Sequence, residues 1–267
     1  MTFALRERVE RRILGALRCV DATTLVPIDD PLIGSAPGAR LLRNRSGLYV
    51  IHTWTRLAAH DDAFDAPPAA PAVGSESLVL DVRDPAGRYL ARRVAVALPR
   101  DPTPANVDQP GSLFRAIDVP MYPAASAAIS ANWVELRATV RETASGDGLG
   151  GALLRVVTAT GVLARGLTDW RGEALVPVAG VPITTWSTVP GAVVVTEIPA
   201  SLECYFDAGT GTRTTAADVR AGTAPGSLPL PDPQAIENGR AALPQSIVPI
   251  VLAAGRALAV TISITVP

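Results

Sequence analysis

Two histidines, two cysteines and 25 scattered acids are what this 267-residue chain offers for bond-making chemistry. His60-Asp61-Asp62 has the residue types of a metal site, but a dedicated site takes three or four ligands at helical or hairpin spacing. The cluster opens a Pro/Ala-rich stretch, 60–76, where solvated charge is the ordinary reading. His52 sits inside a strand-like run and reads as a hydrogen-bonded structural residue. A Ser-His-Asp triad would need one of these two imidazoles, and no Gly-x-Ser-x-Gly elbow is present. Cys19 and Cys204 stand far apart and outside any nucleophile context, so two buried thiols are favoured over one long-range disulfide. Gly148–Gly151 and Gly209-Thr210-Gly211 are glycine-rich, but neither follows a strand and opens a helix as a phosphate cradle must. Asp147, between Gly146 and Gly148, reads as turn chemistry and not as a calcium ligand. No particular pair of acids is marked out for glycoside hydrolysis. Trp54, Trp133, Trp170 and Trp186 read first as packing against a sandwich rim or a neighbouring subunit; only Trp170 falls at a turn tip, which makes it the one candidate stacking platform for a glycan or peptide.

Composition sets the frame for these residues. With 48% hydrophobic residues the chain can bury a sizeable core, although only 4% are aromatic. The net charge of −1 gives no bulk attraction to nucleic acid or to an anionic membrane. All 24 basic residues are arginine, for which coding bias is the favoured cause. No run approaches the ~20 apolar residues of a membrane span. The N-terminal segment is charged through Arg12 and lacks a secretory core. These features predict cytoplasmic synthesis without a signal peptide, with release as part of a particle as a further expectation.

The elements that must position the candidates are mostly strands. The exception is Phe3–Cys19, where Leu5, Val9, Ile13 and Leu17 share a stripe and predict an amphipathic helix. Such a helix reads first as a cover on the open side of its own β-domain; its narrow stripe and terminal place also suit docking on another subunit, which makes these four the candidate assembly interface. Asp21–Arg40 carries Pro27, Pro31 and Pro37 and reads as an extended arm whose Leu25, Val26, Ile28, Leu32 and Ile33 need a surface to lie on. A first β-domain then follows, with strands expected at Gly47–Arg56, Ser77–Arg83, Tyr89–Leu98 and Leu113–Val119. Asp84-Pro85-Ala86-Gly87 supplies a turn within it. Pro99–Gly111, with four prolines, is expected to traverse an edge or contact another chain.

The second β-domain is clearest at Trp133–Arg141, where Val134, Leu136, Ala138 and Val140 alternate with polar residues. Gly151–Gly180 reads as three consecutive strands, with Asp169-Trp170-Arg171-Gly172 making a hairpin turn from Thr168 to Glu173. Further strands are expected at Ile183–Thr188, Ala192–Ile198 and Leu202–Phe206. In the tail, Ser246–Leu252 and Leu258–Val266 flank Ala253-Ala254-Gly255-Arg256 and read as a final hairpin. Many short strands between Gly, Pro and Asp turns predict a two-sheet sandwich.

The run LLRVVTATGVLARGLTDWRGEALVPV resembles the core of a carboxypeptidase-regulatory-like (transthyretin-like) domain. Gly161, Thr168, Asp169 and Gly172 fall at the matching turn positions, with Leu175 and Val178 on the next strand. The resemblance covers about 75 residues and implies a non-catalytic β-sandwich appended to other functions. The layout of helical arm, β-domain, sandwich and Pro-rich tail also resembles β-rich accessory proteins of contractile phage-tail-like injection particles.

The expectation is therefore an all-β protein of two β-sandwich-like domains with an N-terminal amphipathic helix and extended Pro-rich arms. Residues 1–40 are the helix and arm, 41–125 the first β-domain, 131–208 the regulatory-like sandwich and 209–267 the tail with its hairpin. The expected function is a non-enzymatic structural subunit of a multi-protein assembly, such as a baseplate, cap or collar component of an injection particle. The alternative is a glycan- or peptide-binding module. Neither cofactor nor metal is expected. The expected partners are other subunits, in a homo-oligomer or ring, without nucleic acid and without a membrane span.

Overall fold

The computed structural model describes residues 13–61, 68–182, 185–186, 193–194 and 197–267. The fold is all-β, the helices among the described residues are short, and the chain divides into two compact units. The first is built from the described residues of Met1–Cys19, Gly34–Leu80 and Ala95–Val119, the second from Val20–Ile33, Asp81–Val94 and Pro120–Pro267. This division is not sequential: segments 20–33 and 81–94 group with the later residues, and the tail belongs to the sandwich that precedes it.

Among the described residues up to 121 there are seven strands: β1 (Gly15–Asp21), β2 (Ile33–Ser35), β3 (Ala39–Arg43), β4 (Tyr49–Trp54), β5 (Glu76–Arg83), β6 (Arg92–Leu98) and β7 (Ile117–Met121). They form one sheet in the order β3-β4-β1-β7 and another in the order β2-β5-β6. Within the first unit, Leu17, Ile51, Trp54, Leu78, Leu80, Val96, Leu98 and Val119 are buried. The Pro99–Gly111 stretch is tied to its own unit. The Arg100 guanidinium donates to Pro110 O (2.6 Å) and Ser112 O (2.9 Å), while Asp101 N donates to Gly111 O (2.9 Å).

The helix expected over Phe3–Cys19 is corrected where the structure describes it. Residues 15–21 are strand β1, paired as Gly15↔Ile51, Ala16↔Val50 and Leu17↔Tyr49, with Leu14 N donating to Ile51 O at 2.9 Å. A weak local 3.6-residue period loses to long-range pairing that buries five of the seven residues. The rest of that expectation, 3–12, lies outside the described residues.

The second unit is built on a sandwich of β8 (Val134–Glu142), β9 (Gly148–Gly150), β10 (Leu153–Thr158), β11 (Gly161–Leu167), β12 (Glu173–Val178), β15 (Ile198–Tyr205), β16 (Thr212–Thr214), β17 (Gln245–Leu252) and β18 (Ala257–Ile264). The two-residue strands β13 (Thr185–Trp186) and β14 (Val193–Val194) pair with each other. One sheet runs β11-β10-β15-β17; the other runs β12-β8-β9-β16, with β18 parallel to β8. The core lies between their inner faces, where Leu136, Val140, Leu154, Val156, Val176, Leu202 and Leu252 have no exposed surface. Burying each such side chain contributes roughly 1.5–3 kcal/mol.

Two expected hairpins are corrected. The Asp169–Gly172 turn forms, with Gly172 N donating to Asp169 O (2.9 Å) and Gly172 at φ +80°. It joins β11 in one sheet to β12 in the other, and is an arch across the sandwich. The final strands also part: β17 pairs with β15 and β18 with β8. Alternation shows which face of a strand is buried, but not which sheet the strand joins.

Among the described residues three short α-helices accompany the sheets: α1 (Ala58–Asp61) in the first unit, and α2 (Ala216–Ala221) and α3 (Pro233–Gly239) in the second. Asp232 caps α3, its Oδ1 accepting from Gln234 N (3.0 Å) and Ala235 N (3.3 Å). The helix lies on the outer face of the β10–β15 sheet, where Ile236 packs with Leu153, Tyr205 and Leu243. Arg165 clamps Glu237 with two 2.8 Å bonds, and Arg155 reaches Glu203 at 2.6 Å. Burial pushes the Glu237 carboxyl up, but the two arginines outweigh it and hold it low. Opposite charges are matched throughout this network, so it anchors α3.

Candidate functional site

Of the expected interface residues Leu5, Val9, Ile13 and Leu17, the structure describes the last two. Leu5 and Val9 lie outside the described residues. Ile13 is 37% exposed and, with Leu14, His60, Val73 and Leu113, lines a cavity of about 230 Å³ in the first unit. Leu17 is buried in β1 at 2% exposure, which corrects its assignment to a docking stripe. Trp170 is half-buried, its carbonyl accepts from Thr214 Oγ1 (2.7 Å), and the Arg171 guanidinium lies 5.8 Å from its ring centroid. One face of the candidate platform is thus occupied by a cation.

The other chemistry-bearing residues are also absorbed into structure. Cys19 and Cys204 are both buried, and burial pushes the Cys204 thiol up, away from nucleophilic thiolate. His60 is buried, while the Asp61 side chain and Asp62 lie outside the described residues. Among the described residues no group of three or more His, Cys, Asp or Glu could hold a metal ion, and no helix is long and apolar enough to cross a membrane. Gly148 and Gly150 belong to β9 and pack against the Asp169–Gly172 backbone. A Cβ at Gly148 would stand 2.3 Å from Arg171 O, so these glycines serve close packing and not a ligand.

What the second unit does present is a turn and a cleft. Val20 and Pro27 bridge antiparallel, and Asp21 organises the turn between them. Its N–H donates to Val26 O (2.9 Å) and its carbonyl accepts from Leu25 N (2.8 Å). Its Oδ1 accepts from Thr23 N (2.9 Å), Thr24 N (2.8 Å) and Thr24 Oγ1 (3.1 Å). Its Oδ2 accepts from the Tyr89 hydroxyl at 3.1 Å. Held this way, Leu25 adopts φ 59°, the one positive φ among the described non-glycine residues, and is 68% exposed; Val26 is 58% exposed. A leucine in this conformation is strained by roughly 1–2 kcal/mol, and such strain persists only where surroundings enforce it.

Beside the turn, Asp21, Tyr89, Pro123, Ile129, Trp133 and Pro177 line a cleft of about 210 Å³. Tyr89 is placed by the Asp84 turn, whose side chain accepts from Ala86 N, Arg88 N and Tyr89 N, and by a bridge to Pro123. Burial, then the charge of Asp21 and the hydrogen bond to it, push the Tyr89 phenol up to about 12. The phenol therefore stays protonated and the Asp21 carboxylate is already engaged. The cleft can bind an apolar or ring-shaped group, but it holds no poised base or nucleophile.

Asp21, Tyr89 and Trp133 are far apart in sequence, and no spacing marks them as a group. The Asp21-Ala22-Thr23-Thr24 run was the available signal, since Asp followed by two threonines can cap its own turn. No family model matches the chain, and no curated protein matches it.

Proposed function

We propose that the chain is a non-enzymatic structural subunit of a multi-protein assembly, docked through the Asp21 turn. The observation that carries this reading is Leu25: a strained, exposed leucine beside exposed Val26, fixed by six hydrogen bonds to Asp21. The backbone strain at this mostly exposed apolar tip outweighs the little burial it gains within the chain, whereas a partner that buries it recovers apolar contact. The layout of the sequence favours an assembly of the contractile, phage-tail-like kind. The test is size fractionation of a native extract. The chain is expected in a discrete particle, and Leu25→Asn is expected to shift it to the unassembled pool. A wild-type chain that runs entirely unassembled would overturn the reading.

A second reading, binding of a glycan or peptide, rests on the Tyr89–Trp133 cleft and no longer on Trp170. Titration calorimetry with oligosaccharides and proline-rich peptides should then show binding that Trp133→Ala abolishes, and binding unaffected by that change excludes the cleft.

A further inference from the structure

The edges of the sandwich are not alike, and the difference follows from which backbone groups face outward. Val140 N donates to Gly172 O (2.7 Å), and the β12–β8 register pairs Pro177 with Glu135. That parity turns position 177 outward, where proline has no N–H to offer. On β17, Phe206 N donates to Pro244 O (3.1 Å) and Pro249 pairs with Ser201, which turns Pro249 outward in the same way. β11 carries a bulge, its register to β10 shifting so that Leu163 is an extra residue. β16 has only three residues. Outward prolines, bulges and short strands are the devices by which sheets refuse edge pairing.

β18 has none of them. Glu135 N donates to Arg256 O and Thr143 N to Ile264 O, both at 3.0 Å, so the even-numbered residues of β18 bond β8. The N–H and C=O groups of Ala257, Ala259, Thr261 and Ser263 face away from the sheet; all four residues are exposed, and no strand among the described residues pairs with them. The strand is eight residues long without proline or charge.

We propose that β18 is a self-pairing edge, at which two copies of the chain join antiparallel about a two-fold axis into one continuous sheet. The occupant is a second copy because, among the described residues, β18 is the one unblocked edge of this sandwich, so like pairs with like and the contact closes at two. Centring the pair on Val260 sets Ala257 against Ser263 and Ala259 against Thr261 of the other copy. Small side chains meet, every outward N–H finds an outward C=O, and no like charges are opposed. The seam is about 27 Å long, and an interface this narrow stays below the ~1,200 Å² of standard complexes. The contact is therefore of the weak, transient class. It is independent of docking through the Asp21 turn.

Sedimentation velocity of the full chain from about 1 μM to about 500 μM, with hydrogen exchange at both ends of that range, tests the proposal. The wild type should pass from monomer to dimer, and the amides of residues 257, 259, 261 and 263 should gain protection as it does. Thr261→Arg and Ala259→Pro should each raise the dissociation constant more than about tenfold without lowering the melting temperature, since both change only outward-facing groups. Should the proline variant fail to fold, the arginine variant decides. A chain that stays monomeric, a dimer whose four amides remain unprotected, or a dimer indifferent to Thr261→Arg overturns self-pairing. Protection of these amides only in an assembly with other proteins gives the edge to a foreign strand and overturns it equally.

Discussion

Leu25→Asn and Leu25→Ala should move stability in opposite directions, although both delete the same exposed side chain. Leu25 is 68% exposed, so about a third of its surface is buried. Full burial of a leucine is worth ~2 kcal/mol, and either replacement therefore forfeits about 0.6 kcal/mol. Alanine keeps the penalty of φ 59°, because the clash arises at Cβ. Asparagine tolerates that region and recovers about 1 kcal/mol of strain. The expected result is a loss of about 0.6 kcal/mol for alanine and a gain of about 0.4 kcal/mol for asparagine. That separation of ~1 kcal/mol corresponds to about 2–4 °C in melting temperature for a chain of this size. Urea unfolding and calorimetry of both variants measure it. Equal stability of the two, within about 0.3 kcal/mol, would refute the claim that the Asp21 turn stores strain at Leu25.

Other outcomes follow from the second unit. Glu142 is held at about 2 by the backbone N–H groups of Ala144 and Ser145, then the Ser145 hydroxyl and Arg213. A carboxyl depressed on folding stabilises fully above its ordinary value and loses that contribution as pH falls towards its folded value. Unfolding free energy should therefore decline between pH about 4.5 and about 2, and Glu142→Gln should flatten that decline in a pH series of urea titrations. Gly148→Ala should destabilise by about 3 kcal/mol or more, since its Cβ meets a carbonyl oxygen that cannot step aside; thermal melts read this directly. The Cys204 thiol should resist a thiol reagent in the native chain and react at the rate of unfolding, as a comparison with and without denaturant would show.

Faces and turns were largely legible in the sequence, but partners were not. The alternation of Val134, Leu136, Ala138 and Val140 marks β8, and Asp84 and Asp169 build the turns their residue types announce. Alternation is silent on whether a turn returns the chain to its own sheet, so the arches at Asp169–Gly172 and Ala253–Arg256 looked like hairpins. β1 was hidden because its buried residues also satisfy a helical stripe, and only the register with β4 separates the two. Helix α3 was missed despite a readable start, Asp232 followed by Pro233, because the surrounding prolines suggested extended chain. For the site, Leu25 and Val26 were legible as apolar residues in need of a surface. The positive φ of Leu25 and the approach of Tyr89 to Asp21 depend on tertiary structure and leave no periodic trace.

The most direct measurement follows Leu25→Asn through stability and assembly in the same preparation. A docking tip predicts a variant that melts at or above the wild type yet leaves the native particle for the unassembled pool. A variant that remains in the particle in wild-type proportion contradicts the assignment of the Asp21 turn as the docking element.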